Sequence, residues 1–185
     1  MLELGFVEVY WGGMFTGKTT KLIKLLKEHS GEAVCFKPST DNRDDGVCRT
    51  HDGDEFPVIT VNKAIDIFQY IPAGVKYVGI EEASLFLDDN TLLDTVNSLR
   101  NQGYHVIITG LDVTAEGVPF GQMPLVAAIA DEAVKLHTKC AKCDGKSSIS
   151  YRKGGKSTTV EIGGADKYLP LCRNCWYSAL EKEGE

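Results

Sequence analysis

The stretch that decides the fold of this chain is Phe6-Val7-Glu8-Val9-Tyr10-Trp11-Gly12-Gly13-Met14-Phe15-Thr16-Gly17-Lys18-Thr19. Its first six residues are rich in β-forming side chains, and Leu22, Ile23, Leu25 and Leu26 follow at helical spacing. Between the two runs, the residues from Gly12 to Thr19 fit the pattern G-x-x-x-x-G-K-[ST]. The sequence therefore predicts a strand, a phosphate-binding loop and a helix.

The chemistry of this loop favours ATP as its ligand. Glycines allow successive backbone N–H groups and the N-terminus of the next helix to face an anion. Lys18 adds a positive charge for the outer phosphates, and Thr19 offers a hydroxyl to Mg²⁺. The predicted ATP-binding residues are Gly12, Gly13, Met14, Phe15, Thr16, Gly17, Lys18 and Thr19. The alternative is a glycine turn whose lysine is merely solvated.

Downstream, apolar strands alternate with amphipathic helices. Strands are expected at residues 33–36, 75–80 and 106–108, and helices at 64–68, 92–99 and 125–129, with Asn62 as the cap of the first of these helices. Residues 39–56 are polar and rich in turn-forming types. This alternation predicts an α/β fold, a parallel sheet with helices on both faces.

Two adjacent carboxylates end the third predicted strand, at Glu81 and Glu82. In a parallel sheet the carboxyl ends of strands line the ligand crevice. Proteins with this phosphate loop place an acidic residue there to hold Mg²⁺, usually aspartate, so Glu81 is expected to reach the ion through a water. Glu82 would then be free to accept a proton, and repulsion between the two charges would raise one pKa. The alternative is a pair of solvated glutamates at the start of a loop.

Four cysteines form two C-x-x-C pairs, Cys140 with Cys143 and Cys172 with Cys175, separated by 28 residues. Four thiolates predict a structural, tetrahedral Zn²⁺ site. Redox activity is the competing hypothesis, and it is weakened because neither pair is expected to begin a helix in a thioredoxin-like unit. The pattern divides the chain into an ATP-binding α/β domain, residues 1–135, and a small zinc-ribbon-like subdomain, residues 136–185.

Composition restricts the partners. The chain has 185 residues, 20 basic and 26 acidic, for a net charge of −6. Residues 1–134 carry 10 basic and 20 acidic residues (net −10), whereas residues 135–185 carry 10 and 6 (net +4). The overall charge argues against nucleic acid as a partner, although the basic C-terminal part keeps that alternative open. No segment has the length and apolarity of a membrane helix, and we expect a cytoplasmic protein.

Taken together, these motifs resemble the zinc-containing thymidine kinases of the cellular and bacterial type. Besides the phosphate loop, the resemblance rests on residues 37–43 (KPSTDNR), 50–53 (THDG), 110–112 (GLD), 119–121 (PFG) and 162–168 (IGGADKY). It spans almost the whole chain. The family implies transfer of the γ-phosphoryl group of ATP to the 5′-hydroxyl of thymidine, and it implies a homotetramer.

The resemblance also assigns roles to individual residues. Catalysis is expected of Glu82, the base, with Lys18 and Arg43, and Asp41 and Glu81 would lie at the ATP–Mg²⁺ end. The segment between the cysteine pairs resembles the family's lasso over the nucleoside. The expected nucleoside-binding residues are Met14, Glu82, Leu85, Phe86, Leu111, Phe120, Thr159, Ile162, Gly163 and Tyr168.

The sequence departs from the family in the walls of the pyrimidine pocket. The family's Asp-Glu-Ala-Gln-Phe-Phe is Glu81-Glu82-Ala83-Ser84-Leu85-Phe86 here, and its Asp-Phe-Arg is Thr114-Ala115-Glu116. Two aromatic rings are lost and one charge is reversed, so deoxyuridine or another pyrimidine deoxynucleoside could be accepted. Two other functions stay open: an ATPase that acts on nucleic acid through the zinc ribbon, and a non-catalytic nucleotide-binding module.

Overall fold

The computed structural model describes residues 4–43, 46–50, 52–87, 89–154 and 161–183. In these ranges the strands are β1 Val7–Trp11, β2 Ala33–Pro38, β3 Val47–Arg49, β4 Glu55–Pro57, β5 Ile59–Val61, β6 Tyr77–Ile80, β7 His105–Gly110, β8 Glu132–Lys135, β9 Ile149–Arg152 and β10 Tyr168–Leu171. The α-helices are α1 Lys18–Glu28, α2 Leu92–Asn101, α3 Met123–Ile129 and α4 Arg173–Glu183, and short 3₁₀ segments cover Ala64–Gln69 and Ala83–Leu85.

A six-stranded sheet with the order β5-β2-β6-β7-β1-β8 forms the centre of the molecule. Each of its neighbouring strand pairs is parallel. Trp11 at the end of β1 pairs with Gly110 of β7 on one side and with Lys135 of β8 on the other. Since β6 pairs with β7 in turn, the segments that follow β1, β6 and β7 meet at one edge of the sheet.

Apolar side chains cover both faces of this sheet. On one face, Leu22 and Leu26 of α1 pack in a cluster with Tyr10 and Ile107. On the other, residues of α2, α3 and the first 3₁₀ segment join the strands in a larger cluster that includes Val96, Met123, Ile67, Val9 and Ile108. Apart from the helix expected at residues 64–68, the strand and helix types predicted from hydrophobic periodicity are confirmed, as is the α/β fold with helices on both faces.

The expected helix capped by Asn62 is wrong in both type and cap. The segment Ala64–Gln69 is a 3₁₀ helix, and Lys63 precedes it. The first free N–H groups find other acceptors: Lys63 N donates to Asp66 Oδ2 at 3.0 Å, and Ala64 N donates to Asp89 Oδ2 at 2.6 Å. Asp89 lies 25 residues away in sequence, and local capping preferences do not detect an acceptor at that distance.

Several further elements lie outside the sequence expectations. The polar stretch 39–56 contains strand β3 and the start of strand β4, and the two strands pair in an antiparallel hairpin. Strand β8 extends the sheet beyond β1. Helix α4 begins at Arg173, between Cys172 and Cys175, and the sequence did not predict this helix. That pair follows an antiparallel hairpin rather than a βαβ unit.

The C-terminal part has its own apolar cluster. Ile149, Leu171 and Trp176 pack there with Cys140 and Ala179. Trp176 Nε1 donates to the Ala115 carbonyl at 3.1 Å, which ties α4 to the loop that follows β7. Among the described helices, none combines the length and apolarity needed to cross a bilayer.

Candidate active site

The glycine-rich loop between β1 and α1 is held in a fixed shape. Gly12 has a φ of 148°, and a Cβ built on it would lie 2.4 Å from the Leu136 carbonyl oxygen, so the position excludes any side chain. Phe15 and Gly17 adopt left-handed φ values of 64° and 81°. Met14 N donates to Ser150 Oγ at 2.8 Å, which joins the loop to β9.

Lys18 is folded back onto this loop. Its Nζ donates to the Gly13 carbonyl at 2.8 Å, and Thr16 Oγ1 donates to the same oxygen at 2.9 Å. Burial lowers the pKa of Lys18, while the negative charges of Glu82 and Asp112 act in the opposite direction. The ammonium group is thus desolvated and surrounded by the loop, in the place where an anion would gain most from it.

A cavity of about 250 Å³ lies over the loop. Its lining residues are Met14, Phe15, Thr16, Gly17, Lys18, Thr19, Thr20, Arg43, Arg49, Thr50, Glu82, Gly164 and Ala165. The structure therefore places the predicted phosphate-binding residues from Met14 to Thr19 around one space. Gly12 and Gly13 lie at the start of the loop and are not part of the cavity lining.

The two adjacent glutamates point to different neighbours. Thr19 Oγ1 donates to Glu81 Oε1 at 2.8 Å, and Glu81 is 6% exposed. Burial, with the nearby charge of Glu82, raises the pKa of Glu81 to about 7. Glu82 has left-handed backbone angles, φ 48° and ψ 39°, and this turn directs its side chain into the cavities instead of toward α1. The carboxyl with the raised pKa is thus the one that contacts Thr19.

Arg43 connects Glu82 to Asp41. Its Nε donates to Asp41 Oδ1 at 2.6 Å and its Nη2 to Asp41 Oδ2 at 3.0 Å, while Nη2 also lies 3.0 Å from Glu82 Oε1. Burial acts to raise the pKa of Asp41, but hydrogen bonds and charge from Arg43 outweigh it and the pKa lies below its ordinary value. Burial likewise acts to lower the pKa of Arg43, and the two carboxylates hold it above its ordinary value.

A small cavity of about 90 Å³ lies where these acidic groups meet α1. The residues that line it include Thr19, Asp41, Arg43, Glu81 and Glu82. Carboxylate and hydroxyl oxygens are the ligands that Mg²⁺ takes from proteins that bind nucleotides. The donor set at this position fits a divalent cation beside the phosphate loop.

A third cavity, of about 360 Å³, opens on the other side of Glu82. Its lining residues are Met14, Arg43, Glu82, Leu85, Leu111, Val113, Thr114, Ala115, Glu116, Val118, Phe120, Ser150, Arg152, Glu161, Ile162, Gly163 and Tyr168. Of the residues expected to bind the nucleoside, it brings together Met14, Glu82, Leu85, Leu111, Phe120, Ile162, Gly163 and Tyr168. This nucleoside-sized cavity and the one over the phosphate loop share Met14, Arg43 and Glu82.

One expected nucleoside-binding residue lies outside the cavity lining, and for a second the structure gives no position. Phe86 is buried in the core cluster beneath α2 and is not part of the cavity lining. Thr159 lies outside the described residues. Ser84, which stands where the family has glutamine, is also buried: its Oγ accepts a hydrogen bond from Leu111 N at 3.1 Å and it does not line the cavity.

Several cavity residues escaped the sequence analysis. Ser150 and Arg152 lie on β9, so only the packing of the cysteine-containing part against the sheet brings them to the site. Val113 and Val118 carry no chemical signal in the sequence. The family resemblance had already marked three wall residues as departures from the family: Thr114, Ala115 and Glu116. That resemblance is the one signal in the sequence that could have placed them in the cavity wall.

The four cysteines form one cluster whose geometry fits zinc. Their Sγ atoms all lie within 4.8 Å of one another, and Cys143 Sγ is 3.7 Å from Cys172 Sγ. A tetrahedral ion with Zn–S bonds of about 2.3 Å separates its sulfurs by about 3.8 Å. Backbone N–H groups of Gly145 and Cys175 point at Sγ atoms at 3.4 Å, as expected around thiolates. Four protein ligands would complete the tetrahedron around such an ion, which is the arrangement typical of structural zinc sites.

Comparisons with known proteins agree with this geometry. The model of the family described as thymidine kinase matches residues 5–176. A thymidine kinase of Bacteroides fragilis is 38% identical over 185 residues, which cover 98% of this chain and 92% of that protein. The corresponding protein of a second strain of that species gives the same values. A thymidine kinase of Bacteroides thetaiotaomicron is 37% identical over 187 residues, with the same coverage.

Proposed function

Because the chain belongs to the thymidine kinase family, we propose that it transfers the γ-phosphoryl group of ATP to the 5′-hydroxyl of thymidine, and that it accepts deoxyuridine as well. One observation carries the proposal: Glu82 and Arg43 line both the cavity over the phosphate loop and the nucleoside-sized cavity. A group that borders both spaces can act on an alcohol in one and a phosphate in the other.

In this mechanism the loop amides and Lys18 hold the phosphates of ATP. Glu82 orients the 5′-hydroxyl and takes its proton as the oxygen attacks the γ-phosphorus in line with the departing ADP oxygen. Arg43, held by Asp41 through two hydrogen bonds, balances charge on the transferring group. The new P–O bond forms on the nucleoside, and ADP leaves with the electrons of the bond that breaks.

Mg²⁺ is the implied partner of ATP, and Thr19, Glu81 and Asp41 would hold it at the small cavity. The ion would neutralise charge on the β- and γ-phosphates. The Thr19–Glu81 hydrogen bond supports this role, because it joins a hydroxyl of the phosphate loop to the carboxylate at the end of β6.

The cysteine-containing part would complete the nucleoside site. Zinc bound by Cys140, Cys143, Cys172 and Cys175 would fix the start of α4 and the segment before β9. Ser150, Arg152 and Tyr168 belong to the hairpin of β9 and β10, and they reach the cavity from there. We therefore treat residues 1–135 as the ATP-binding domain and residues 136–185 as a zinc subdomain that covers the nucleoside.

Two further properties follow from the family and from the cysteines. A homotetramer is proposed from the family resemblance. A metal site made only of thiolates requires a reducing compartment, which supports a cytoplasmic location.

The experiment that tests the function is transfer of ³²P from γ-labelled ATP to a panel of nucleosides. Labelled thymidine 5′-monophosphate, with weaker labelling of deoxyuridine and none of purine deoxynucleosides, is the expected result. Release of inorganic phosphate that depends on DNA or RNA would indicate the nucleic-acid ATPase instead. Binding of ATP without transfer or hydrolysis would indicate a non-catalytic module.

A further inference from the structure

An ion pair joins opposite walls of the nucleoside-sized cavity. Arg152 Nη2 donates to Glu116 Oε1 at 2.6 Å. Glu116 belongs to the loop that follows β7, and Arg152 ends β9 of the cysteine-containing part. Both side chains line the cavity, with the arginine side chain 7% exposed and the glutamate side chain 38% exposed.

The contact continues from Arg152 to the segment that covers the cavity. Arg152 is paired with Tyr168 in the β9–β10 register. Burial raises the pKa of the Tyr168 hydroxyl, and the guanidinium of Arg152 acts to lower it. That hydroxyl donates in turn to the Glu161 carbonyl at 2.6 Å. Glu161, Ile162 and Gly163 form the part of the wall that follows. A continuous series of polar contacts thus runs from the loop after β7 to the main chain of residues 161–163.

Physical chemistry makes the first contact of this series important. A guanidinium buried to this extent is stabilised by a counter-charge, and removing the carboxylate of Glu116 weakens that stabilisation and loosens the position of Arg152. If Arg152 shifts, the Tyr168 hydroxyl is held less firmly, and so is the Glu161 carbonyl that accepts its hydrogen bond. The negative charge of Glu116, which stands where the family has a positive one, therefore helps to hold the covering segment.

We propose that Glu116 is a positioning and specificity-determining residue, which acts through Arg152 and Tyr168 to fix the main chain of residues 161–163 against the base of the nucleoside. The inference rests on the proposed function for its substrate, and on the contacts above for its mechanism. Neither Glu116 nor Arg152 lines the cavity over the phosphate loop, so the larger effect is expected on the nucleoside.

The test uses Glu116→Gln, which keeps the shape and removes the charge at a partly exposed position. The Michaelis constant for thymidine is expected to rise about tenfold, with kcat and the Michaelis constant for ATP changed less than about twofold. Glu116→Asp should recover part of the loss. Glu32→Gln is the matched control, since it removes an ion pair of similar length with Lys76 that lies outside the three cavities.

A second readout needs no turnover. Hydrogen exchange of the amides of residues 161–168 should become several-fold faster in Glu116→Gln and stay unchanged in Glu32→Gln. Unchanged exchange, or an unchanged thymidine constant, would overturn the positioning role. A wild-type protein that transfers no phosphate to any nucleoside would instead refute the proposed function, whatever the exchange rates show.

Discussion

Thr19 Oγ1 donates a 2.8 Å hydrogen bond to Glu81 Oε1. This contact joins the first turn of α1 to the residue that follows β6, across 62 positions of sequence. It places a hydroxyl suited to Mg²⁺ beside a buried carboxylate, and it leaves Glu82, the next residue, to face the two larger cavities. The division of labour between the adjacent glutamates thus follows from the left-handed turn at Glu82.

Glu81 should make the free energy of unfolding depend on pH. Its pKa rises from 4.5 to about 7 on folding, so the folded protein holds this proton more tightly than the unfolded chain does. Stability is therefore lost as the pH rises from about 4.5 to about 7, and the loss is complete above that range. Relative to Glu81→Gln, the wild type should lose about 2–3 kcal/mol between pH 4 and pH 8.

The measurement is urea unfolding of both proteins across this range without magnesium. Glu28→Gln, at an exposed position of α1, serves as the control and should follow the wild type. A constant difference between the wild type and Glu81→Gln at all pH values would contradict the raised pKa.

Gly12 should tolerate no side chain. Its φ of 148° is unfavourable for other residues, and the added Cβ of Gly12→Ala would meet the backbone oxygen of Leu136, which cannot move without displacing β8. We expect a loss of about 2 kcal/mol or more in the free energy of unfolding. Gly31→Ala is the matched control, because nothing lies within 4 Å of its Cβ position. Equal stability of the two variants in denaturant titrations would show that the loop start is not constrained.

Removal of zinc should disorder the C-terminal part of the chain while the six-stranded sheet stays folded. Formation of the four-cysteine site and folding of the segments that carry it are coupled. After chelation, with metal loss verified by elemental analysis, we expect a lower melting temperature and a higher Michaelis constant for thymidine, both reversed by added Zn²⁺. An identical melting curve for the metal-free protein would contradict a structural site.

Replacing Ala115 with phenylalanine should strengthen nucleoside binding. Ala115 lines the cavity where the family has an aromatic ring, and its carbonyl, which accepts from Trp176, is unaffected by the substitution. A ring stacked on the base contributes about 0.5–1.5 kcal/mol beyond its buried area, equivalent to a two- to tenfold lower dissociation constant for thymidine. Calorimetry checks this, with Leu125→Phe on the exposed side of α3 as the control. Weaker thymidine binding in Ala115→Phe would show that the wall has no room for the ring.

The fold, the glycine-rich loop between β1 and α1 and the cysteine cluster were predictable because their signals are local. The run from Phe6 to Thr19 contains, in this order, a strand, a loop and the start of a helix. Two C-x-x-C pairs predict a metal site without information from the rest of the sequence. Asp89, in contrast, caps a 3₁₀ segment 25 positions away, and no local pattern reveals that contact. Phe86 shows the converse error: family position suggested a base contact, but packing against α2 draws the ring into the core.

The wall of the nucleoside-sized cavity was the least predictable part of the candidate site. Ser150 and Arg152 reach it only because Met14 N and Trp176 Nε1 tie the cysteine-containing part to the loops of the sheet. Such contacts depend on the docking of two parts of the chain. Hydrophobic periodicity and motif spacing carry no information about that docking.

The central claim is that Glu82 acts as the base between the two cavities. The most direct measurement is the single-turnover rate of phosphoryl transfer to thymidine in Glu82→Gln, together with the dissociation constant for ATP. Loss of the proton acceptor should slow the transfer by about two to four orders of magnitude, with ATP affinity nearly unchanged. A Glu82→Gln enzyme that transfers phosphate at the wild-type rate would contradict the account.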